Sequence, residues 1–140
     1  MTYCIINLTA LKNNFQILKS NTASKICAVI KADAYGHGII QTARALEEAD
    51  CFGVARPNEA VMLRDSNINN DILLMGSFDD MVTIKELIDN NITLTIHSHE
   101  ELKLLTELAK KHSGMIKIHI KIDSGMNRLG ISDKVTLDKI

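Results

Sequence analysis

Lys31 closes a segment that is otherwise largely apolar, Lys25 to Lys31 (KICAVIK), and a stretch with two glycines follows at once, Ala32 to Gly38 (ADAYGHG). In parallel α/β proteins, ligands bind at the C-terminal ends of the strands, and Lys31 stands at such an end. A partly buried amine there can act as a nucleophile or form a Schiff base with a carbonyl. Gly36 and Gly38 let backbone approach a ligand and leave N–H groups free at the start of the next helix, an arrangement suited to a phosphate. Tyr35 adds a hydroxyl. Taken alone, the segment reads equally well as an exposed strand end followed by an ordinary turn.

A second segment runs from Lys117 to Gly130 (KIHIKIDSGMNRLG). Its strand alternates: Ile116, Ile118, Ile120 and Ile122 point one way, and Lys117, His119 and Lys121 the other. A parallel strand buried on both faces is apolar throughout. One face therefore meets helices while the other meets water or the polar interior of a site. Arg128 follows in a loop bracketed by Gly125 and Gly130, where a guanidinium can hold a carboxylate or a phenolate oxygen. An edge strand with a solvated basic face has the same pattern.

Other residues carry less. His97 and His99 flank Ser98 with no cysteine or carboxylate cluster beside them, which is not a metal-ligand pattern, and no metal is expected. His37 is a candidate base or a hydrogen-bonding loop residue. Asp79 and Asp80 suit the start of a helix. Met75 reads as packing, and Cys27 as core. No Ser-His-Asp set, P-loop or GxGxxG occurs.

The elements that must position Lys31 and Arg128 alternate regularly. Tyr3–Leu8 reads as a strand, and Thr9 as the cap of a helix to Lys19 with Leu11, Phe15 and Leu18 on one face. Strands follow at 25–31, 51–55, 71–75, 92–96 and 115–123. Helices are expected at 39–49, from Pro57 to 65, at 78–89, and from the Ser98 cap to about 111, with Gly114 beyond it. A further helical pattern opens at Ser132 or Asp133. Repeated βα units mean a parallel sheet faced by helices. An open doubly wound sheet and part of an eight-stranded barrel both fit.

In 140 residues with 46% hydrophobic and 24% charged side chains, disorder is excluded as the main state. A net charge of −1 makes neither nucleic acid nor an anionic membrane a default partner. No apolar run approaches the roughly 20 residues of a membrane span. Three scattered cysteines, Cys4, Cys27 and Cys51, point to reduced thiols in a cytoplasmic protein. With one proline and no Gly/Ser/Pro-rich linker, residues 1–140 read as a single domain. The last helical pattern has barely begun at Ile140, so the expectation is the front part of a longer protein.

The segments Ala28–Gly38 (AVIKADAYGHG) and Lys121–Gly130 (KIDSGMNRLG) together resemble the two signatures of the alanine racemase family. Ala10–Leu18 and Phe52–Arg64 resemble that family's first helix and second βα unit. The resemblance implies an α/β fold, the N-terminal portion of a parallel (β/α)8 TIM-type barrel, incomplete in this chain, with the family's C-terminal β domain absent. It implies pyridoxal 5′-phosphate as cofactor, interconversion of L- and D-alanine for cell-wall peptidoglycan, and a homodimer. By motif position, Lys31 would form the Schiff base with the cofactor and act as one acid/base. Tyr35 would bind the phosphate. Arg128 would contact the phenolic oxygen and the substrate carboxylate, and Lys121 matches a lysine carbamylated in some members. The family's opposite-face tyrosine has no counterpart here, and Asn7 stands where many members carry an acid. The isolated 140 residues are therefore expected to be inactive. A non-catalytic cofactor-binding module, an inactive fragment and a racemase for another amino acid remain alternatives.

Overall fold

The computed structural model describes residues 2–132. Five short strands pair side by side in chain order: β1 (Cys27–Val29), β2 (Cys51–Val54), β3 (Asp71–Leu74), β4 (Thr93–Ile96) and β5 (Ile118–Ile120). Every neighbouring pair is parallel. Around them lie α1 (Leu8–Ser20), α2 (Lys31–Gly36), α3 (Ile39–Ala45), α4 (Pro57–Asp65), α5 (Met81–Asp89) and α6 (His99–Ala109). A doubly wound sheet reverses its strand order at a switch point. The order β1-β2-β3-β4-β5 contains no reversal. The fold is thus the N-terminal part of a (β/α) barrel.

The period-two alternation of the strands decides where the core lies. Phe52 and Val54, Ile72 and Leu74, and Leu94 and Ile96 are all 0% exposed. They form one cluster with Ala60 and Leu63 of α4 and Ile84 and Leu87 of α5. Burial on this scale contributes about 2 kcal/mol for each large side chain. The alternate positions, Cys51, Gly53, Leu73, Thr93 and Thr95, lie on the other face. At the N-terminal ends of β3 and β4, Arg64 ties two loops together. Its guanidinium donates to the carbonyls of Ile68, Asn70 and Asn90.

Several local expectations need correction. Residues 3–8 form no strand: Tyr3 and Ile5 are exposed, and α1 begins at Leu8. Its cap is Asn7, not Thr9, and the Asn7 side chain accepts the Ala10 N–H at 2.9 Å. A short polar side chain that satisfies a free helix donor ends the extended run before it can pair. Phe15 is buried, but Leu18 is exposed, leaving Leu11 and Phe15 to dock α1. The helix at 39–49 ends at Ala45, with Leu46 as C-cap. The helix at 78–89 starts at Met81 because Asp80 caps it, accepting from Val82 and Thr83. Strands β1 and β5 are shorter than the apolar runs that contain them. Pro57 and Ser98 start their helices as expected. The helical pattern at 132–140 lies outside the described residues, apart from Ser132.

Candidate active site

Lys31, Lys121 and Arg128 line one cavity of about 490 Å³. It opens where the strands end. Ala55 follows β2, Met75 and Gly76 follow β3, Thr95 belongs to β4, and His119 belongs to β5. Thr95 and His119 are register partners and share the inner face. The alternation of β5 holds only in part: His119 and Lys121 reach the cavity, but Ile120 lines it too. Ile118 (37%), Ile120 (38%) and Ile122 (49%) stay exposed where the pattern predicts contact with helices, because β5 is the last strand of the described sheet. Three cationic side chains and no carboxylate line it, so it favours an anion. Leu73, Met75 and Leu129 supply apolar wall. The Thr95 hydroxyl oxygen is buried and has no hydrogen-bond partner among the described residues.

Lys31 is held by an unusual backbone. The stretch expected as a loop, Ala32–Gly38, begins with four successive residues in the left-handed region. Ala32, Asp33, Ala34 and Tyr35 have φ between 52° and 56°. This conformation costs an L-residue about 1–2 kcal/mol each, so it persists only where the surroundings over-determine it. Two carboxylates do so. Asp33 Oδ1 accepts the Ile39 N–H at 2.7 Å, while its carbonyl accepts from Gly38. Glu59 Oε1 accepts the Ala32 N–H at 2.7 Å. The buried Ala34 anchors the middle of the turn, and Tyr35 is 62% exposed and does not line the cavity.

Arg128 is positioned by a loop closed on itself. Asp123 N–H donates to the Ile131 carbonyl, and Ile131 N–H donates to the Lys121 carbonyl. Asp123 Oδ1 accepts from Gly125 at 2.9 Å and Asn127 at 3.1 Å. These bonds hold the Asp123 carboxyl below the usual carboxylate range. Gly130 sits at φ +118°, and a Cβ there would lie 2.9 Å from the Asp123 nitrogen.

Most of the other sequence candidates lie elsewhere. His97 is buried with neither ring nitrogen partnered among the described residues, and lines a separate cavity with His99. No group of three metal-ligating side chains occurs among the described residues. Met75 lines the cavity rather than only packing. Cys27 is exposed, not core. Period two puts it on the inner face, in register with Cys51. The facing Cys51 thiol lowers the Cys27 thiol to about 7, while Cys51, whose Sγ–H donates to the Phe52 carbonyl at 3.6 Å, is pushed up by Cys27 and by burial.

Comparison with known proteins adds identity to this geometry. The family model described as "Alanine racemase, N-terminal domain" matches residues 6–140. The chain belongs to the alanine racemase family. It is 44% identical over 128 residues to the alanine racemase of Edwardsiella ictaluri, covering 91% of this chain and 35% of that protein. To the biosynthetic alanine racemase of Salmonella typhimurium it is 42% identical over 130 residues, with the same coverage. The alanine racemase structure from Clostridium difficile 630 superposes with a TM-score of 0.87 at 35% identity. That match covers 99% of this chain and 39% of the other. A complex of the same protein with cycloserine matches at 0.86 and 37% identity, covering 96% and 38%. The chain thus spans about a third of the length of the alanine racemases it matches. No helix among its described residues is long and apolar enough to cross a membrane.

Two residues of this candidate site escape sequence reasoning. Asp33 lies inside the first signature, but its cap on α3 spans the turn and is invisible without the turn's shape. Glu59 is the third residue of a helix opened by Pro57, which marks it as a capping acid. Its reach to Ala32 leaves no local signal.

Proposed function

We propose that a whole protein containing this chain interconverts L- and D-alanine with pyridoxal 5′-phosphate, and that Lys31 holds the cofactor. The observation that carries this is the meeting of Lys31, Lys121 and Arg128 in one acid-free cavity at the strand ends. The residues fit the group. An amine suits its carbonyl, a guanidinium suits its phenolic oxygen, the apolar wall suits its ring, and the buried Thr95 hydroxyl lacks a partner. When bound, pyridoxal 5′-phosphate supplies an electron sink for the carbanion left by a departing α-proton.

In this reading Lys31 Nζ binds the cofactor and then moves the α-proton on its own face of the substrate. Arg128 holds the phenolic oxygen and orients the substrate carboxylate. Lys121, whose backbone carbonyl closes the Arg128 loop, is the candidate for carbamylation. Tyr35 is the candidate phosphate ligand, a role that requires its exposed hydroxyl to turn toward the site. Inversion needs a second acid/base on the opposite face. The resemblance to the family implies that this group is a tyrosine of the partner subunit in a homodimer; Tyr3 and Tyr35, both exposed and outside the cavity, do not take that place. On the same reading the 140 residues form one barrel-part domain, and the protein works in the cytoplasm to supply D-alanine for peptidoglycan.

The test is to add pyridoxal 5′-phosphate to the chain, reduce with borohydride and map the labelled peptides. Label confined to Lys31, among twelve lysines, supports the reading. Label scattered over surface lysines, with Lys31 no more modified than the rest, counts against it.

A further inference from the structure

Among the described residues, the Glu59 carboxylate is the one side-chain group that hydrogen-bonds both the loop after β1 and the loop after β2. Oε1 accepts the Ala32 N–H at 2.7 Å, and Oε2 accepts the N–H groups of Ala55 at 2.8 Å and Arg56 at 3.0 Å. Ala32 directly follows Lys31 and is the first residue of the left-handed turn, while Ala55 lines the cavity. The Ile30 N–H, just before Lys31, is already bonded to the Gly53 carbonyl at 2.9 Å. Lys31 is therefore pinned on both sides. On one side is the sheet; on the other is a single carboxylate oxygen from a helix that begins 26 residues later, at Pro57.

We propose that Glu59 is a positioning residue for Lys31: by accepting the Ala32 N–H it locks the entry of the left-handed turn and sets the direction in which the Lys31 side chain enters the cavity. The inference rests on the reading of Lys31 as the cofactor lysine. Glu101 provides an internal contrast. It sits at the same helical position in α6 and accepts the His97 N–H in the same manner as Glu59 accepts Ala55. Its carboxylate makes no bond to the loop after β1. A purely structural capping role predicts equal consequences for the two acids. A positioning role predicts that only Glu59 affects Lys31.

Glu59→Gln separates capping from positioning. Glutamine at the third helical position still caps α4, because its amide oxygen replaces Oε2. Its NH2 group then faces the Ala32 N–H, donor against donor. The turn is left to its intrinsic preference, and the productive fraction of Lys31 falls with it. Two readouts are taken on the chain carrying E59Q and, in parallel, E101Q. The first is amide hydrogen exchange, which needs no cofactor. In E59Q the Ala32 amide should exchange about tenfold faster, with Ala55 and Ile30 unchanged. The second is the rate of borohydride-trapped pyridoxyl label at Lys31, which should fall about tenfold in E59Q and stay within about twofold in E101Q. Unchanged Ala32 exchange in E59Q overturns the clamp. Faster exchange with unaltered Lys31 labelling, or equal labelling loss in E101Q, overturns the positioning role. If the wild-type chain labels no more at Lys31 than elsewhere while Ala32 is protected by Glu59, the cofactor-lysine reading has failed and this role falls with it, the clamp itself standing.

Discussion

Lys31 and Arg128 line one cavity from opposite edges of the sheet, Lys31 at the end of β1 and Arg128 in the loop after β5. Neither is near the other in sequence, and neither belongs to the apolar core. The curvature of five parallel strands brings them together. Their roles should then separate cleanly from stability. Lys31→Ala should abolish selective pyridoxyl labelling. Arg128→Ala should leave the label on Lys31 but weaken cofactor binding about tenfold, the loss of one charge-assisted bond. Both should unfold in urea within about 0.5 kcal/mol of wild type. An Arg128→Ala chain that binds the cofactor as tightly as wild type would remove Arg128 from the site.

Gly76 makes a purely steric prediction. A Cβ at this position would lie 1.9 Å from the Ala55 carbonyl oxygen, a backbone atom that cannot swing away. Gly76→Ala must push the loop after β3 off the loop after β2, at a cost of about 3 kcal/mol. Because both residues line the cavity, the same displacement should reduce Lys31 labelling. Urea denaturation checks the first consequence and peptide mapping the second. An alanine variant as stable as wild type would mean that the two loops are not in contact.

How far the sequence was legible follows from which interactions are local. β3 and β4 were readable to within a residue because Ile72, Leu74, Leu94 and Ile96 are apolar and bounded by turn residues. Pro57 and Ser98 announce their helices through chemistry confined to one turn. The left-handed turn is different. Nothing in Ala32-Asp33-Ala34-Tyr35 prefers that conformation; sterics favour the opposite hand. It is imposed by Glu59 and by the cap that Asp33 places on α3, so it exists only in the folded chain. Cys27 misled for a related reason. Its neighbours Ile26 and Ala28 pack against the core. An apolar run hides the alternation that turns Cys27 and Val29 to the inner face.

The placement of Cys27 yields a reactivity prediction. Its thiol is lowered to about 7 by the neighbouring Cys51 thiol, which is itself pushed up. Between about pH 7 and 8, Cys27 should alkylate with iodoacetamide faster than Cys51, with a rate that rises through a midpoint near 7. Removing its partner with Cys51→Ala should move that midpoint up toward an ordinary thiol. Mass spectrometry of the alkylated peptides at a series of pH values reads both. Equal rates at the two cysteines across this range would deny the asymmetry.

The loop that carries Arg128 should be sensitive to acid. Asp123 is held below the usual carboxylate range, first by the Gly125 N–H and then by the Asn127 N–H. The folded value lies below the unfolded one, so the charged form is favoured by folding. Its contribution is complete above the unfolded carboxylate value and is lost as pH falls through the lowered folded value. The amides of Gly125 and Asn127 should therefore keep their chemical shifts down through the ordinary carboxylate range and change together only below it. Asp123→Asn retains one carbonyl acceptor but removes the charge. It should abolish that acid transition and loosen the Lys121–Ile131 closure, seen as faster hydrogen exchange at Ile131, whose N–H donates to the Lys121 carbonyl at 2.8 Å. Because the loop aims Arg128, cofactor binding should weaken in the same variant while the core of the sheet, far from Asp123, keeps its protection. An Asp123→Asn chain with the wild-type acid transition would show that another group controls the loop.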